Sequence, residues 1–223
     1  MRRSSVSHPD RAEGFTLVEV LIALAITALV STIAYSSLST VLLGAEVNQA
    51  QASRSYEVNR AWMIISRDLE QLVLRPVRDE FGEVEPALSG GPAARFALSL
   101  TRSGWHNPVG LSRSALQRVN YRVEGDTLWR DAYPVLDRAS DTEPYEVRLL
   151  EGVESMDLLF LESISQVQPG SRGTQLDTRN WPDSWISDPS QPGNLVAPPV
   201  ALEVRLQLND WGEMRRLYAL PPL

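Results

Sequence analysis

The sequence predicts an α+β fold, in which one long N-terminal helix precedes a domain of antiparallel β-sheets. Residues 15–43 form an apolar run whose only charged residue is Glu19. From residue 44 to residue 75 the apolar positions recur every three or four residues, which is typical of an amphipathic helix. After Pro76 the apolar positions alternate with a period of two, which indicates strands. The helix is expected to pack its second half on the sheets.

The first half of the helix is long enough to cross a membrane. A hydrocarbon layer about 30 Å thick needs roughly 20 helical residues, and residues 15–43 exceed that length. Arg2, Arg3 and Arg11 precede the run, and positively charged flanks stay on the cytoplasmic side. The sequence therefore predicts a single-pass inner-membrane protein whose C-terminal domain lies in the periplasm.

The junction between Gly14 and Phe15 is unlike the cleavage site of a secretory signal. In such a signal the small residues follow the apolar stretch, whereas here the small residue precedes it. Cleavage at this junction would remove a leader, residues 1–14, and leave the apolar helix with a new amine on Phe15. Glu19 lies close to that amine in sequence. A carboxylate in a bilayer costs on the order of 2.5–3.5 kcal/mol at the centre, and pairing with a cation makes such a charge tolerable.

The amphipathic segment is assigned to residues 44–76. Within it the helix is expected to end at residue 75, because Pro76 lacks an amide hydrogen and clashes with the preceding turn. Its apolar stripe is expected to cover the chain's own sheet. The membrane-proximal side, with small residues that permit close helix approach, is then left for partner helices. The stripe consists of Val58, Trp62, Ile65, Leu69 and Leu72, and the partner side of Val41, Leu42, Val47, Ala45, Ala50 and Ala52.

Residues 77–223 are predicted to form a β-rich domain of about six to eight strands. A turn at Glu124-Gly125-Asp126 indicates a hairpin between two of them. The predicted strands are residues 95–101, 117–123, 127–133, 146–150, 156–162, 200–208 and 213–220.

Residues 163–199 break the pattern and are predicted to form a long loop rich in Pro, Gly, Ser, Asp and Trp. Two interpretations of its carboxylates, Asp177, Asp183 and Asp188, are open. They are solvated turn residues, or they bind calcium, although their spacing is not that of an EF-hand. Similarly, Trp181 and Trp185 either anchor the loop or present a contact surface.

Composition argues against several classes of function. The net charge of −7 and the scattered arginines are unlike a nucleic-acid-binding protein. There is no cysteine and no lysine, so cysteine chemistry and a GxxxxGK[ST] phosphate loop are ruled out. One of the two histidines, His8, lies in the leader, and the other, His106, lies within the turn Gly104-Trp105-His106-Asn107-Pro108; no GxSxG pattern is present. A membrane-anchored periplasmic enzyme is the alternative from another class of protein, but no enzymatic activity or cofactor is expected, and no metal apart from the calcium interpretation of the loop.

The stretch from Gly14 to Ile26, Gly-Phe-Thr-Leu-Val-Glu-Val-Leu-Ile-Ala-Leu-Ala-Ile, resembles the start of type IV pilin-like proteins, whose leader a prepilin peptidase removes. The resemblance implies that Gly14 is the last leader residue and that Phe15 becomes the N-methylated N-terminus. It also implies that Glu19 takes part in assembly, by meeting the N-terminal amine of a neighbouring subunit in a medium of low dielectric.

A second resemblance is carried by residues 67–70, 75–79, 101–108, 116–123, 128–130, 211–213 and 216–217. These segments resemble the minor pseudopilin J (GspJ) family of type II secretion. The resemblance implies a tip component of a periplasmic pseudopilus that helps to export folded exoproteins across the outer membrane. Implied partners are minor pseudopilins I and K, an inner-membrane assembly platform and, as further candidates, pseudopilin H and the major pseudopilin G. A minor pilin of a type IV pilus or competence system is the alternative, although such proteins often carry a C-terminal disulfide loop.

Overall fold

The computed structural model describes residues 14–105, 110, 113–167, 176–186 and 197–221. The chain divides into two compact units, Met1–Arg54 and Ser55–Leu223. The described residues form one long helix, ten strands and a short 3₁₀ turn: α1 Leu17–Glu70, β1 Val77–Arg78, β2 Val84–Glu85, β3 Leu88–Gly90, β4 Leu98–Arg102, β5 Gln117–Glu124, β6 Thr127–Ala132, β7 Tyr145–Glu151, β8 Val153–Leu161, the 3₁₀ turn Ile164–Gln166, β9 Ala201–Leu208 and β10 Gly212–Ala219.

The first unit contains the apolar part of α1. A window of 18 residues in this helix reaches a mean hydropathy of 2.4, and none of it is buried. By length and composition α1 is therefore a candidate membrane anchor, as the sequence predicts.

The helix ends at Glu70, so the prediction that it continues to residue 75 is wrong. The reason is a competing set of backbone hydrogen bonds to β4. The Val73 amide donates to the Thr101 carbonyl oxygen at 3.0 Å, and the Ser103 amide donates to the Gln71 carbonyl oxygen at 2.8 Å. Residues after the helix thus pair with a strand, and the chain is already extended before it reaches the proline.

The strands of the second unit form three antiparallel sheets. The largest has the order β3-β4-β5-β6-β7, a second has the order β10-β9-β8, and β1 pairs with β2. All seven strands predicted from alternation are present as β4 to β10. The β5–β6 hairpin is confirmed, and Gly125 and Asp126 at its tip have φ of 56° and 54°. The predicted total of six to eight is too low, because β1, β2 and β3 contain only two or three residues and show no period.

The hydrophobic core lies between the second half of α1 and the two larger sheets. The predicted stripe of Val58, Trp62, Ile65, Leu69 and Leu72 is at most 3% exposed and belongs to one cluster with residues of β3 to β9. Full burial of one such side chain contributes about 1.5–3 kcal/mol. The prediction that this stripe covers the chain's own sheets is confirmed.

Part of the 163–199 loop docks on the edge of the five-stranded sheet. Trp185 and Gly90 exchange backbone hydrogen bonds of 2.8 and 3.0 Å, and the Trp185 ring lies 5.8 Å from that of Phe160. Trp181 is 6% exposed and packs with neighbouring residues of β8 and β9. For the described part of the loop, residues 176–186, the structure supports the interpretation in which Trp181 and Trp185 anchor the loop on the sheets.

Because the loop packs closely on Gly91, a side chain at this position is expected to disturb the contact. Gly91 has a φ of 91°, and a Cβ there would lie 1.9 Å from the Asp183 carbonyl oxygen. Gly82 has a similar φ of 84° but an open surrounding. We expect Gly82→Ala to cost only the strain of a left-handed conformation, about 1–2 kcal/mol. Gly91→Ala should lower the free energy of unfolding by more than Gly82→Ala does. It should also detach the loop from the sheet, so that proteases cut within residues 176–186. Equal unfolding free energies and equal proteolysis in the two variants would contradict this docking.

Candidate functional site

The start of α1 is closed by a reciprocal set of hydrogen bonds between Thr16 and Glu19. The Thr16 amide and hydroxyl each donate to Glu19 Oε2 at 3.1 Å, and the Glu19 amide donates to Thr16 Oγ1 at 3.2 Å. This is a capping box, which satisfies helix N–H groups that lack an intrahelical acceptor. Thr16 was not predicted as a capping residue, although the Thr-x-x-Glu spacing before an apolar run is the signal of this motif.

The predicted cleavage residues lie just before the helix. Phe15 is 87% exposed, and Gly14 precedes it in a segment without regular secondary structure. A Cβ built on Gly14 would meet no atom within 4 Å. The fold of the described chain therefore places no steric demand for glycine at this position, so any such demand comes from a protein that acts on the bond.

The structure thus brings Glu19 close to the predicted new N-terminus. Within the described residues, its carboxylate accepts from Thr16, the residue after Phe15, through Oε2. A carboxylate has about four acceptor sites, so the group can accept a further bond from an incoming donor.

A second polar site lies inside the C-terminal unit, around Asp68 of α1. Asp68 is 1% exposed. Its Oδ1 accepts from Arg102 Nη1 at 2.6 Å, and its Oδ2 accepts from the Tyr121 hydroxyl at 2.6 Å and from Arg130 Nε at 2.7 Å. A further bond of 3.2 Å from Arg130 Nη2 completes a bidentate pair. One carboxylate therefore ties the helix to β4, β5 and β6.

The protonation of this Asp68 cluster is fixed by burial and pairing. Burial, and then the negative charge of Asp68, raise the pKa of Tyr121 well above its usual value, so the phenol remains a donor. Burial lowers the pKa of Arg130, but the hydrogen bond and charge of Asp68 outweigh it and raise the pKa overall. The charged groups of the cluster bind one another, which is the arrangement of a structural ion cluster.

None of the residues of the Asp68 cluster was predicted to form a site. Asp68 lies 34 residues from Arg102 and 62 from Arg130, and no local pattern joins positions so far apart. A polar residue on the buried face of an otherwise apolar helix stripe was the only available signal.

The loop carboxylates do not form a cluster where the structure describes them. Arg179 donates to Asp177 at 2.6 and 2.9 Å, and these bonds lower the pKa of Asp177 to about 2. Asp183 accepts from the Ser184 hydroxyl at 3.0 Å. Within the described residues no three His, Asp or Glu side chains are grouped as metal ligands, and Asp188 lies outside those residues.

The predicted turn after β4 is described only at its start. Gly104 has a φ of 76°, which a turn requires, and the Trp105 amide donates to the Ala115 carbonyl oxygen at 3.0 Å. The Arg113 guanidinium lies 3.6 Å from the centre of the Trp105 ring. The rest of the turn, including His106, lies outside the described residues.

Two profiles of known families match this chain, and together they extend from residue 10 to residue 220. The profile of "Type II secretion system (T2SS), protein J" matches residues 36–220. The chain belongs to this family. The profile of the "Prokaryotic N-terminal methylation motif" matches residues 10–35, a range that includes Gly14, Phe15 and Glu19.

Relatives and solved structures agree with the family. Type II secretion system protein J of Klebsiella pneumoniae is 31% identical over 218 residues, which are 95% of this chain and 96% of the relative. A chain of the crystal structure of the GspK-GspI-GspJ complex from enterotoxigenic Escherichia coli is similar with a TM-score of 0.58 and 28% identity, over 76% of this chain and 99% of that one. Pilin-like protein PilA3 of Thermus thermophilus is 30% identical over 171 residues, 71% of this chain and 69% of that protein. The predicted pseudopilin fold, with a long helix and antiparallel sheets, is confirmed.

Proposed function

We propose that this protein J family member is a minor pseudopilin at the tip of a periplasmic pseudopilus. There it assembles with minor pseudopilins I and K and supports the export of folded exoproteins across the outer membrane. The observation that carries the proposal is the similarity to a chain of the GspK-GspI-GspJ complex, which extends over 99% of that chain. The inner-membrane assembly platform, pseudopilin H and the major pseudopilin G are the further partners of the same proposal.

The N-terminal residues prepare the subunit for assembly. Prepilin peptidase cleaves between Gly14 and Phe15, the amine of Phe15 is methylated, and Glu19 pairs with the amine of a neighbouring subunit. The exposure of Phe15 and the acceptor capacity left on the Glu19 carboxylate support this sequence of steps. Since Glu19 already caps its own helix through Thr16, the carboxylate is held at the helix start before a neighbour arrives.

The domain organisation follows from the same proposal. Residues 1–14 are the leader, residues 15–43 span the inner membrane, and residues 44–223 lie in the periplasm. The helical part of the periplasmic segment ends at Glu70. We assign no enzymatic activity to the chain, because it belongs to the protein J family of a secretion system.

A minor pilin of a type IV pilus or competence system is the second candidate, and its support is the similarity to a pilin-like protein. That similarity covers 69% of the relative, whereas similarity to protein J of Klebsiella pneumoniae covers 96%. The larger coverage favours the secretion pseudopilin.

Co-purification tests the proposal. The tagged full chain, extracted from its own cells in mild detergent, should carry pseudopilins I and K with it. The same preparation from cells that lack pseudopilin I serves as the control, and it should lose at least one of these bands. Recovery of the chain alone would contradict the tip assignment, and recovery with pilus subunits instead would favour the second candidate.

A further inference from the structure

A groove of about 640 Å³ lies over the Asp68 cluster, within the C-terminal unit. We call it the arginine groove, because Arg67, Arg102, Arg113 and Arg130 line it, and among the described residues that line it Asp68 supplies the only carboxylate. The lining side chains thus carry three more positive than negative charges. The volume is in the range of ligand-binding clefts.

The two inner arginines are held in fixed positions. The side chains of Arg102 and Arg130 are 9% and 12% exposed, and both bind the Asp68 carboxylate. Arg102 Nε also donates to the Ser103 carbonyl oxygen at 2.9 Å. Preorganised guanidinium groups suit carboxylates, because their planar donors match the two oxygens. Asp68 neutralises one of the two guanidinium charges, so the floor of the groove remains positive.

The outer part of the groove is formed by more exposed residues. Arg67 is exposed on α1, and Arg113 stacks on Trp105, which also lines the groove. These two arginines lie where a ligand could reach them without disturbing the Asp68 cluster. Substitution of Arg67 or Arg113 therefore leaves the ion pairs of Asp68 with Arg102 and Arg130 intact.

One wall of the groove is the edge strand β7. Among the described strands, β7 pairs with β6 alone, and its residues 145–148 are all exposed. Tyr145 and Val147, 63% and 39% exposed, both line the groove. An unpaired edge offers backbone donors and acceptors to an extended segment. A free anion would use the guanidinium groups but neither the strand edge nor these apolar side chains.

We infer that the arginine groove binds an extended, acidic segment of a partner polypeptide. The segment adds to the edge of β7 and places an aspartate or glutamate carboxylate against the arginines. The net charge of −7 for the whole chain disfavours long polyanions, whereas the local excess of positive charge accommodates one or two carboxylates. This inference does not depend on the position of the subunit at a pseudopilus tip.

Fluorescence polarisation with the detergent-purified full chain tests the inference. The probe is a labelled, end-blocked hexapeptide of alternating valine and aspartate, and its partner replaces each aspartate by asparagine. Because a charge-assisted hydrogen bond is roughly twice as strong as a neutral one, we expect the asparagine peptide to bind at least about tenfold more weakly. Each of Arg67→Gln and Arg113→Gln should weaken binding of the aspartate peptide by a factor of about two to five.

Arg148→Gln is the matched control. Arg148 lies on the same strand, 61% exposed, but pairs with Glu151 at 2.5 Å and does not line the groove, so its variant should bind as the wild type does. Thermal unfolding of all variants should be unchanged within a few degrees. Four outcomes would overturn the inference: no binding of the aspartate peptide, equal binding of the asparagine peptide, equal loss in Arg148→Gln, or displacement of the peptide by an equal concentration of inorganic phosphate.

Discussion

Asp68→Ala should strongly destabilise the C-terminal unit. The change leaves the cations of Arg102 and Arg130 inside the protein without their carboxylate and removes the acceptor of the Tyr121 hydroxyl. Breaking a buried ion pair by removing one partner costs about 3–5 kcal/mol. In a unit of this size each kcal/mol shifts Tm by roughly 2–4 °C. Thermal denaturation should therefore show Tm lower by about 6–20 °C.

Asp137→Ala provides the control for this experiment. Asp137 pairs with Arg75 at 3.4 Å, and both side chains are 50% exposed. Exposed pairs contribute about 0–1 kcal/mol, although Asp137 also accepts a bond from the Arg78 amide at 2.9 Å. Its loss should cost far less than that of Asp68. Similar Tm values for the two variants would show that Asp68 does not tie the helix to the sheet.

Glu19→Val should abolish secretion while leaving the chain processed and in the membrane. The valine makes the helix start more apolar, so insertion is not impaired. It removes the carboxylate that we propose to pair with a neighbour's amine, and an unpaired buried charge costs about 3–5 kcal/mol per contact. Because each 1.4 kcal/mol is a factor of ten in an equilibrium, exported enzyme activity in the medium should fall at least tenfold.

Thr16→Ala separates the assembly role of Glu19 from its capping role. This variant loses the hydroxyl that donates to the Glu19 carboxylate and accepts from the Glu19 amide, but it keeps the Glu19 carboxylate. Loss of a cap costs about 0.5–2 kcal/mol of helix stability. We expect Thr16→Ala to secrete nearly as well as the wild type. Equal failure of both variants would assign the effect to capping and would contradict the pairing proposal.

The elements that the sequence predicted well are those whose signal is local. The apolar run from residue 15, the stripe from Val58 to Leu72 and the hairpin around Gly125 each depend on spacing within one segment. Burial in the structure follows that spacing. Alternation along β8 and β9 similarly specified two long strands that pair over their whole length.

Features that depend on contacts between distant segments were not predictable. The helix end at Glu70 is determined by hydrogen bonds to residues around Thr101, so the position of Pro76 gave the wrong boundary. The Asp68 cluster and the contact of Trp185 with Gly90 join residues that are far apart in sequence. At the start of α1 the positions of Gly14 and Glu19 were apparent from spacing, but their use in assembly rests on family resemblance.

Mass spectrometry of the protein isolated from membranes of secreting cells tests the central claim most directly. We predict a mature chain that begins at Phe15, carries one methyl group on its amine and lacks residues 1–14. The Gly14→Ala variant, which the fold accommodates without a contact inside 4 Å, should retain those residues. A wild-type chain that still carries residues 1–14 in cells that secrete normally would contradict the account.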